Sequence, residues 1–256
     1  MWRIDDERRY ANGEHMSIGE SYKALAAAQK GHARGAPAYS VYVNRRIGRG
    51  LAAFAFRVGL TADQATIISA AHSLIALVVL IVAPAEIWVG LAVAALLLLG
   101  YAWDSADGQI ARLRGGGTVA GEWLDHFVDA VKIASLHLAV LVALWRHTPA
   151  RETAWAAVPL VFSVVAVVTF FGMLLNDLLK GKRGLPSTHS RGGGTAGRSI
   201  MLLPTDYGVL CLVFVLWGWT TVFRGVYTLL AAANLAFLLL AAIKWHREMR
   251  ALDGLR

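Results

Sequence analysis

Six long apolar runs constrain the fold of this chain more than any other feature of its sequence. They cover residues 64–83, 87–103, 119–145, 155–175, 207–221 and 226–243. A helix needs about 20 mostly apolar residues to cross the hydrocarbon core of a bilayer. Only 16% of the chain is charged, against about a quarter in soluble domains. The sequence therefore predicts an all-α polytopic membrane protein with six transmembrane helices.

Lysine and arginine are distributed unevenly between the two ends of these spans. Of the 25 basic residues, 21 fall on the side of the two termini, three fall on the opposite side, and Lys132 lies inside the third span. Cytoplasmic loops carry such an excess, so we expect a multi-pass protein of the cell (inner or plasma) membrane with both termini cytoplasmic. Topology and attraction to anionic lipid headgroups account for the net charge of +8, and no nucleic-acid partner is predicted.

The chain divides into four segments. Residues 38–59 alternate basic and apolar side chains, which predicts an amphipathic helix on the cytoplasmic membrane surface. Residues 1–37 are polar without a strong period, which leaves partial disorder open. Residues 60–247 form the predicted transmembrane catalytic domain, and residues 248–256 form a cytoplasmic tail.

Four carboxylates stand out because charge near a membrane core is costly and marks a functional site by default. Asp104 and Asp107 lie three residues apart at the end of the second span, and Asp125 and Asp129 lie four apart at the start of the third. Either spacing places both side chains on one face of a helix. A glycine-rich turn at 115–117 would bring the two acidic faces together.

Four unpaired carboxylates would repel one another, and divalent cations would relieve this repulsion. Oxygen-only ligands suit Mg²⁺ or Mn²⁺, and Mg²⁺ often completes its shell with substrate phosphates. The small residues Gly108, Ala111 and Gly121 would leave room for such a ligand, and Arg112 could reach a phosphate. Simple ion pairing of the aspartates with Arg112, Arg114 and Lys132 is the alternative interpretation.

These residues follow a spacing pattern that is specific. The pattern D-x2-D-G-x2-A-R-x8-G-x3-D-x3-D is matched at every fixed position by Asp104, Asp107, Gly108, Ala111, Arg112, Gly121, Asp125 and Asp129. In this pattern the chain resembles the CDP-alcohol phosphotransferase (CDP-alcohol phosphatidyltransferase) family. The six-span layout and the amphipathic helix are also similar, so the resemblance covers roughly residues 38–247.

The resemblance implies a reaction in which an alcohol hydroxyl attacks a CDP-linked donor and CMP leaves. It implies two Mg²⁺ or Mn²⁺ ions, with Asp104, Asp107, Asp125 and Asp129 as ligands and Asp129 also as the catalytic base. The implied nucleotide-binding residues are Thr66, Asp107, Gly108, Ala111, Arg112 and Gly121. Ala62 and Asp63 depart from a Pro-Asn pair that is common in the family. The family commonly forms homodimers, which we expect here too.

The substrates are less constrained by the sequence. CDP-diacylglycerol is the expected donor and inositol or inositol phosphate the expected acceptor, with Lys132, Arg191 and Arg198 as candidate acceptor-binding residues. CDP-inositol as a soluble donor is an open alternative, because residues 42–47 are similar to the inositol-type branch. A membrane prenyltransferase with aspartate-rich motifs, a cation transporter and a catalytically inactive structural relative are the competing classes.

Overall fold

The computed structural model describes residues 16–27, 36–147, 154–185 and 195–253. Nearly all of these residues are helical and none forms a strand, which confirms the all-α prediction. The described residues form nine α-helices, which are α1 (Ile18–Ala27), α2 (Arg45–Arg57), α3 (Ala62–Val82), α4 (Ile87–Leu113), α5 (Val119–His147), α6 (Ala157–Gly181), α7 (Ala196–Met201), α8 (Tyr207–Val213) and α9 (Thr220–Asp253). A π-helical turn, Ser40–Asn44, precedes α2. Short 3-10 turns precede α6 and α8 and follow α8.

Five of these helices, α3, α4, α5, α6 and α9, are long and apolar enough to cross a membrane. The predicted span 207–221 differs, because α8 and the 3-10 turn after it form an apolar helix of only Tyr207–Leu216, about 15 Å long at 1.5 Å per residue. The chain then turns at 217–219 around the fully buried Trp217 before α9 begins. The prediction used composition alone, which does not detect a turn. Because Trp217 and Trp219 are apolar, the predicted span continued through the turn at 217–219.

The core lies between the long helices, and their outer faces are apolar. Helix α3 packs against α4 and α5, and α6 packs against α5 and α9. Large apolar side chains on the outside remain exposed, including Trp88 at 77%, Leu229 at 71% and Leu240 at 70%. An exposed apolar surface of this extent suits lipid rather than water, and the chain is a multi-pass membrane protein.

Helix α4 approaches the turn after α8 so closely that only glycine fits at position 90. A side-chain carbon added at Gly90 would lie 2.3 Å from the carbonyl oxygen of Phe214 and 2.7 Å from Cβ of Trp217. Gly90→Ala is therefore expected to lower the free energy of unfolding by about 1–3 kcal/mol, as overpacking commonly does. Thermal unfolding in detergent measures this loss.

Gly225→Ala is the matched control, because Gly225 also lies in a long helix but has open space around it. The control should be neutral or slightly stabilising, since alanine favours helix over glycine by about 1 kcal/mol. Equal melting temperatures for the two variants would contradict the close packing of α4.

The segment before α3 is joined to the helical bundle by polar contacts. The carboxylate of Asp206, which is only 2% exposed, accepts the backbone N–H of Ser40 at 2.9 Å and of Gly208 at 2.9 Å. Burial raises the pKa of Asp206, although these N–H bonds favour its charged form. The buried amide of Asn44 donates to the carbonyl oxygen of Tyr101 in α4 at 3.0 Å.

Candidate active site

The turn between α4 and α5 sets the geometry of the site. Gly115 and Gly116 have φ values of 91° and 138°, a backbone region that favours glycine over other residues. The chain reverses there within the few residues between Leu113 and Val119. The acidic end of α4 therefore lies beside the acidic start of α5, as the sequence predicted.

Three of the four predicted metal ligands form one cluster. Asp104, Asp125 and Asp129 each offer a carboxylate oxygen, and these oxygens lie within 4.8 Å of one another. Bonds from Mg²⁺ to oxygen are about 2.0–2.1 Å long, so small side-chain adjustments would let a single ion reach all three oxygens. An all-carboxylate set without Cys or His fits Mg²⁺ or Mn²⁺.

Asp107 lies one turn further along α4 and is held by neutral partners. Its carboxylate accepts the hydroxyl of Thr66 at 2.7 Å and the backbone N–H of Gly108 at 2.5 Å. The side chain is 7% exposed. Both Asp107 and Asp125 border the adjacent cleft, so this carboxylate remains available to a ligand there.

A cleft of about 790 Å³ opens beside the cluster, between the starts of α3 and α5 and the end of α4. All six residues predicted to bind nucleotide line this cleft: Thr66, Asp107, Gly108, Ala111, Arg112 and Gly121. These residues come from the three helices α3, α4 and α5. Helical periodicity predicts only which residues share a face of one helix, so it could not by itself show that they line one cleft. The volume lies within the range of about 300–1,000 Å³ that is usual for small-molecule sites.

The wall of the cleft at the start of α3 is fixed by local hydrogen bonds. Thr61 caps α3, with reciprocal bonds between its hydroxyl and backbone and Gln64. The guanidinium of Arg114, at the end of α4, donates to the carbonyl oxygens of Gly59 at 3.1 Å and Leu60 at 2.9 Å. These bonds tie the segment before α3 to the end of α4, next to the turn that joins the two acidic helices.

The three residues predicted to bind the acceptor fall in different places. Lys132 in α5 is partly buried and forms ion pairs with Asp104 and with Asp129, the latter at 2.8 Å. Arg198 lies exposed in the short helix α7. Arg191 lies outside the described residues. The structure therefore places Lys132 in contact with two of the predicted metal ligands. The sequence analysis had included this contact only in the alternative that the aspartates form ion pairs with nearby basic residues.

The sequence analysis missed Ser69, and it noted Asp63 only as a departure from the Pro-Asn pair that is common in the family. The buried hydroxyl of Ser69 accepts a hydrogen bond from Lys132 Nζ at 3.2 Å. Asp63 lines the cleft, with its Oδ1 3.0 Å from where a side-chain carbon of Gly121 would lie. A sequence signal existed, because Asp63, Thr66, Ser69 and Ser73 recur every three or four residues along one face of an otherwise apolar helix.

Comparison with known proteins gives this arrangement a family. The family model described as CDP-alcohol phosphatidyltransferase matches residues 60–243. A comparison with curated protein sequences found no significant match. Among solved structures, the chain is similar to Mycobacterium tuberculosis phosphatidylinositol phosphate synthase in complex with manganese and citrate. The identity is 25%, the TM-score is 0.50, and the alignment covers 79% of this chain and 88% of that one. The same synthase with CDP-DAG bound aligns at 25% identity and TM-score 0.49, over 77% of this chain and 90% of the other.

The family match covers more than half of the chain and includes every residue of the acidic pattern. This match decides against the prenyltransferase and the cation transporter, which are other classes of protein. It confirms the predicted enzyme class, a divalent-metal-dependent transferase that moves a substituted phosphate group to an alcohol and releases CMP. This chain belongs to the CDP-alcohol phosphatidyltransferase family.

Proposed function

We propose that the enzyme transfers the phosphatidyl group of CDP-diacylglycerol to a hydroxyl of inositol or inositol phosphate, as a step of phospholipid synthesis. The observation that carries the proposal is the position of the carboxylate cluster. It lies beside a cleft of nucleotide size at the ends of two membrane-spanning helices. A reaction between a lipid donor and a water-soluble alcohol needs a site with access to both phases.

The cleft suits the cytidine diphosphate part of the donor. Its floor carries Asp107 and Thr66, and the small residues Gly108, Ala111 and Gly121 leave its walls open to a flat ligand. Arg112 is exposed in the cleft and is the cation we assign to a phosphate of the donor. Arginine binds phosphate oxygens through paired N–H groups.

The carboxylates divide between metal binding and proton transfer. We assign Asp104, Asp107, Asp125 and Asp129 as ligands of two Mg²⁺ or Mn²⁺ ions, which when bound would offset the charge of the diphosphate. Asp129 also accepts the proton of the attacking hydroxyl. The hydroxyl oxygen bonds to the phosphorus next to diacylglycerol, the bond from this phosphorus to the oxygen it shares with the CMP phosphate breaks, and CMP leaves with that oxygen.

The membrane arrangement follows the predicted topology. We propose six membrane segments, with the short Tyr207–Leu216 helix as the fifth. The protein lies in the inner or plasma membrane with both termini in the cytoplasm, and it assembles as a homodimer. Helix α2 would lie on the cytoplasmic surface, because Ile47, Phe54 and Val58 share one face around α2 and are each about half exposed. That face would contact the lipid that carries the donor.

Support for inositol phosphate as the acceptor comes from the solved synthase. That protein is a phosphatidylinositol phosphate synthase and aligns with most of this chain at 25% identity. Arg198 and Arg191 remain our candidates for the acceptor phosphate, since both follow α6 in a basic segment. Lys132 would join them once released from its carboxylate partners.

A donor and acceptor screen tests the proposal. Purified enzyme in detergent with Mg²⁺ is given CDP-diacylglycerol or CDP-inositol as donor. Each donor is tested with inositol, inositol phosphate, a lipid alcohol such as diacylglycerol, or no acceptor. We expect CMP release and a new phosphatidyl lipid, detected by mass spectrometry, only with CDP-diacylglycerol and an inositol-type acceptor. Turnover of CDP-inositol with a lipid alcohol instead would favour the soluble-donor alternative. An Asp104→Asn, Asp125→Asn variant is the inactive control.

A further inference from the structure

Lys132 is an internal cation inside the acidic cluster. Its Nζ contacts Oδ1 of Asp104 and, at 2.8 Å, Oδ1 of Asp129, and it donates to the hydroxyl of Ser69 at 3.2 Å. These three oxygens match the three donors of an ammonium group. The side chain is 10% exposed, so little water competes for these bonds.

The two carboxylates that bind the ammonium are also two of the three that form the candidate metal site. Asp104, Asp125 and Asp129 supply the clustered oxygens, and Lys132 contacts the first and the last of them. A divalent cation that uses the same oxygens would lie within a few ångströms of a positive ammonium. Two like charges at that distance in a partly buried site repel strongly.

The position of Lys132 would allow its ammonium to leave the carboxylates when a metal ion binds them. It lies three residues after Asp129 on α5, so it reaches this carboxylate from its own helix, while Asp104 and Ser69 come from α4 and α3. A lysine side chain has four flexible carbons and can withdraw its head without moving the backbone. The ammonium of Lys132 thus links three helices, and it can move away from them without a change in the backbone.

We propose that Lys132 is a built-in counter-cation that competes with the divalent metal for Asp104 and Asp129 and is displaced when the metal binds. This inference rests on the proposed assignment of the aspartates as metal ligands. Through this exchange, Lys132 holds the acidic faces of α4 and α5 together before the metal arrives and sets how tightly the site binds metal. Lys132 is therefore a positioning residue.

Mn²⁺ binding to the purified protein, measured by electron paramagnetic resonance of the free ion, gives the first test. Lys132→Met removes the charge and keeps the length, and we expect Mn²⁺ to bind about tenfold more tightly or better. After treatment with EDTA, the same variant should melt at a lower temperature than wild type, because the aspartates then repel unopposed. Mn²⁺ should restore its stability.

Lys180→Met is the matched control. Lys180 is buried to a similar extent, with its side chain 14% exposed, and its Nζ lies 2.7 Å from Oε2 of Glu248. Neither residue lines the cleft. This variant is expected to lose stability with and without Mn²⁺ and to keep wild-type Mn²⁺ affinity. A structural ion pair at Lys132 would give the same pattern, with Mn²⁺ affinity equal to or weaker than wild type. That outcome would overturn the proposal.

A second measurement uses the wild-type protein and so does not depend on how the variant folds. Reductive methylation with formaldehyde and cyanoborohydride modifies lysine amines that are accessible, and mass spectrometry locates the product. Lys132 should react slowly in EDTA and several-fold faster with saturating Mn²⁺, while Lys180 stays unchanged. Mn²⁺ binding without any rise at Lys132 would overturn the exchange alone. Failure of the wild type to bind Mn²⁺ would overturn the exchange and the proposed metal site together.

Discussion

Asp129→Asn is expected to lower CMP release by about a thousandfold while the protein still inserts and folds. Loss of a general base commonly costs 10²–10⁴ in rate, and asparagine cannot accept the proton. The amide has nearly the shape of the carboxylate, and Lys132 keeps its contacts with Asp104 and Ser69. The rate of CMP release per mole of folded enzyme, with saturating donor and acceptor, measures the effect.

Asp253→Asn is the control for this variant, because Asp253 is exposed at the end of α9 and does not border the cleft. It should turn over at the wild-type rate. Size-exclusion profiles and melting temperatures of both variants in detergent establish that the proteins are folded. Turnover by Asp129→Asn within a factor of a few of wild type would refute its assignment as the base.

Removal of divalent metal is expected to abolish turnover by about a thousandfold or more, and either Mg²⁺ or Mn²⁺ should restore it. The three clustered carboxylates and the donor diphosphate are all anionic, and without a cation their repulsion opposes binding. Ca²⁺ should restore much less, because it prefers longer bonds and six to eight oxygens. The measurement is CMP release after EDTA treatment, followed by titration of each metal.

The chelated protein must be shown to be folded, since loss of structure would also stop turnover. Circular dichroism should keep its helical signal in EDTA, because the long helices are stabilised by apolar packing and by Lys132 at the acidic cluster. Elemental analysis establishes that the metal has been removed. Full activity in protein free of divalent metal would contradict the metal dependence of this site.

Much of the fold was predictable because hydropathy and helical periodicity are local properties. The runs that became α3, α4, α5, α6 and α9 were each recognised from composition alone. The run at 207–221 was not resolved correctly, since its helix ends at Leu216 where Trp217 turns into the core. That turn depends on contacts with α4, which lies more than 100 residues earlier in the chain.

The site divides in the same way between local and long-range information. Helical spacing placed Asp104 with Asp107 and Asp125 with Asp129, and the glycines at 115–117 predicted that the pairs would meet. Spacing could not show that α3 contributes Ser69 and Asp63, because that requires the packing of a third helix. It also could not show whether the ammonium of Lys132 contacts the predicted metal ligands or an acceptor phosphate, since the contact with Asp104 depends on the packing of α4 against α5.

The hydrogen bond from the backbone N–H of Ser40 to Asp206 limits how far this protein can be shortened at its N-terminal end. The family match begins at residue 60, yet Ser40 and Asn44 bond to the bundle well before it. A fragment cut at residue 60 would deprive a buried carboxylate of one partner and uncover the surface of α4 that α2 packs against. The minimal unit for expression therefore starts no later than residue 38, and trimming to the family boundary would yield an unstable protein.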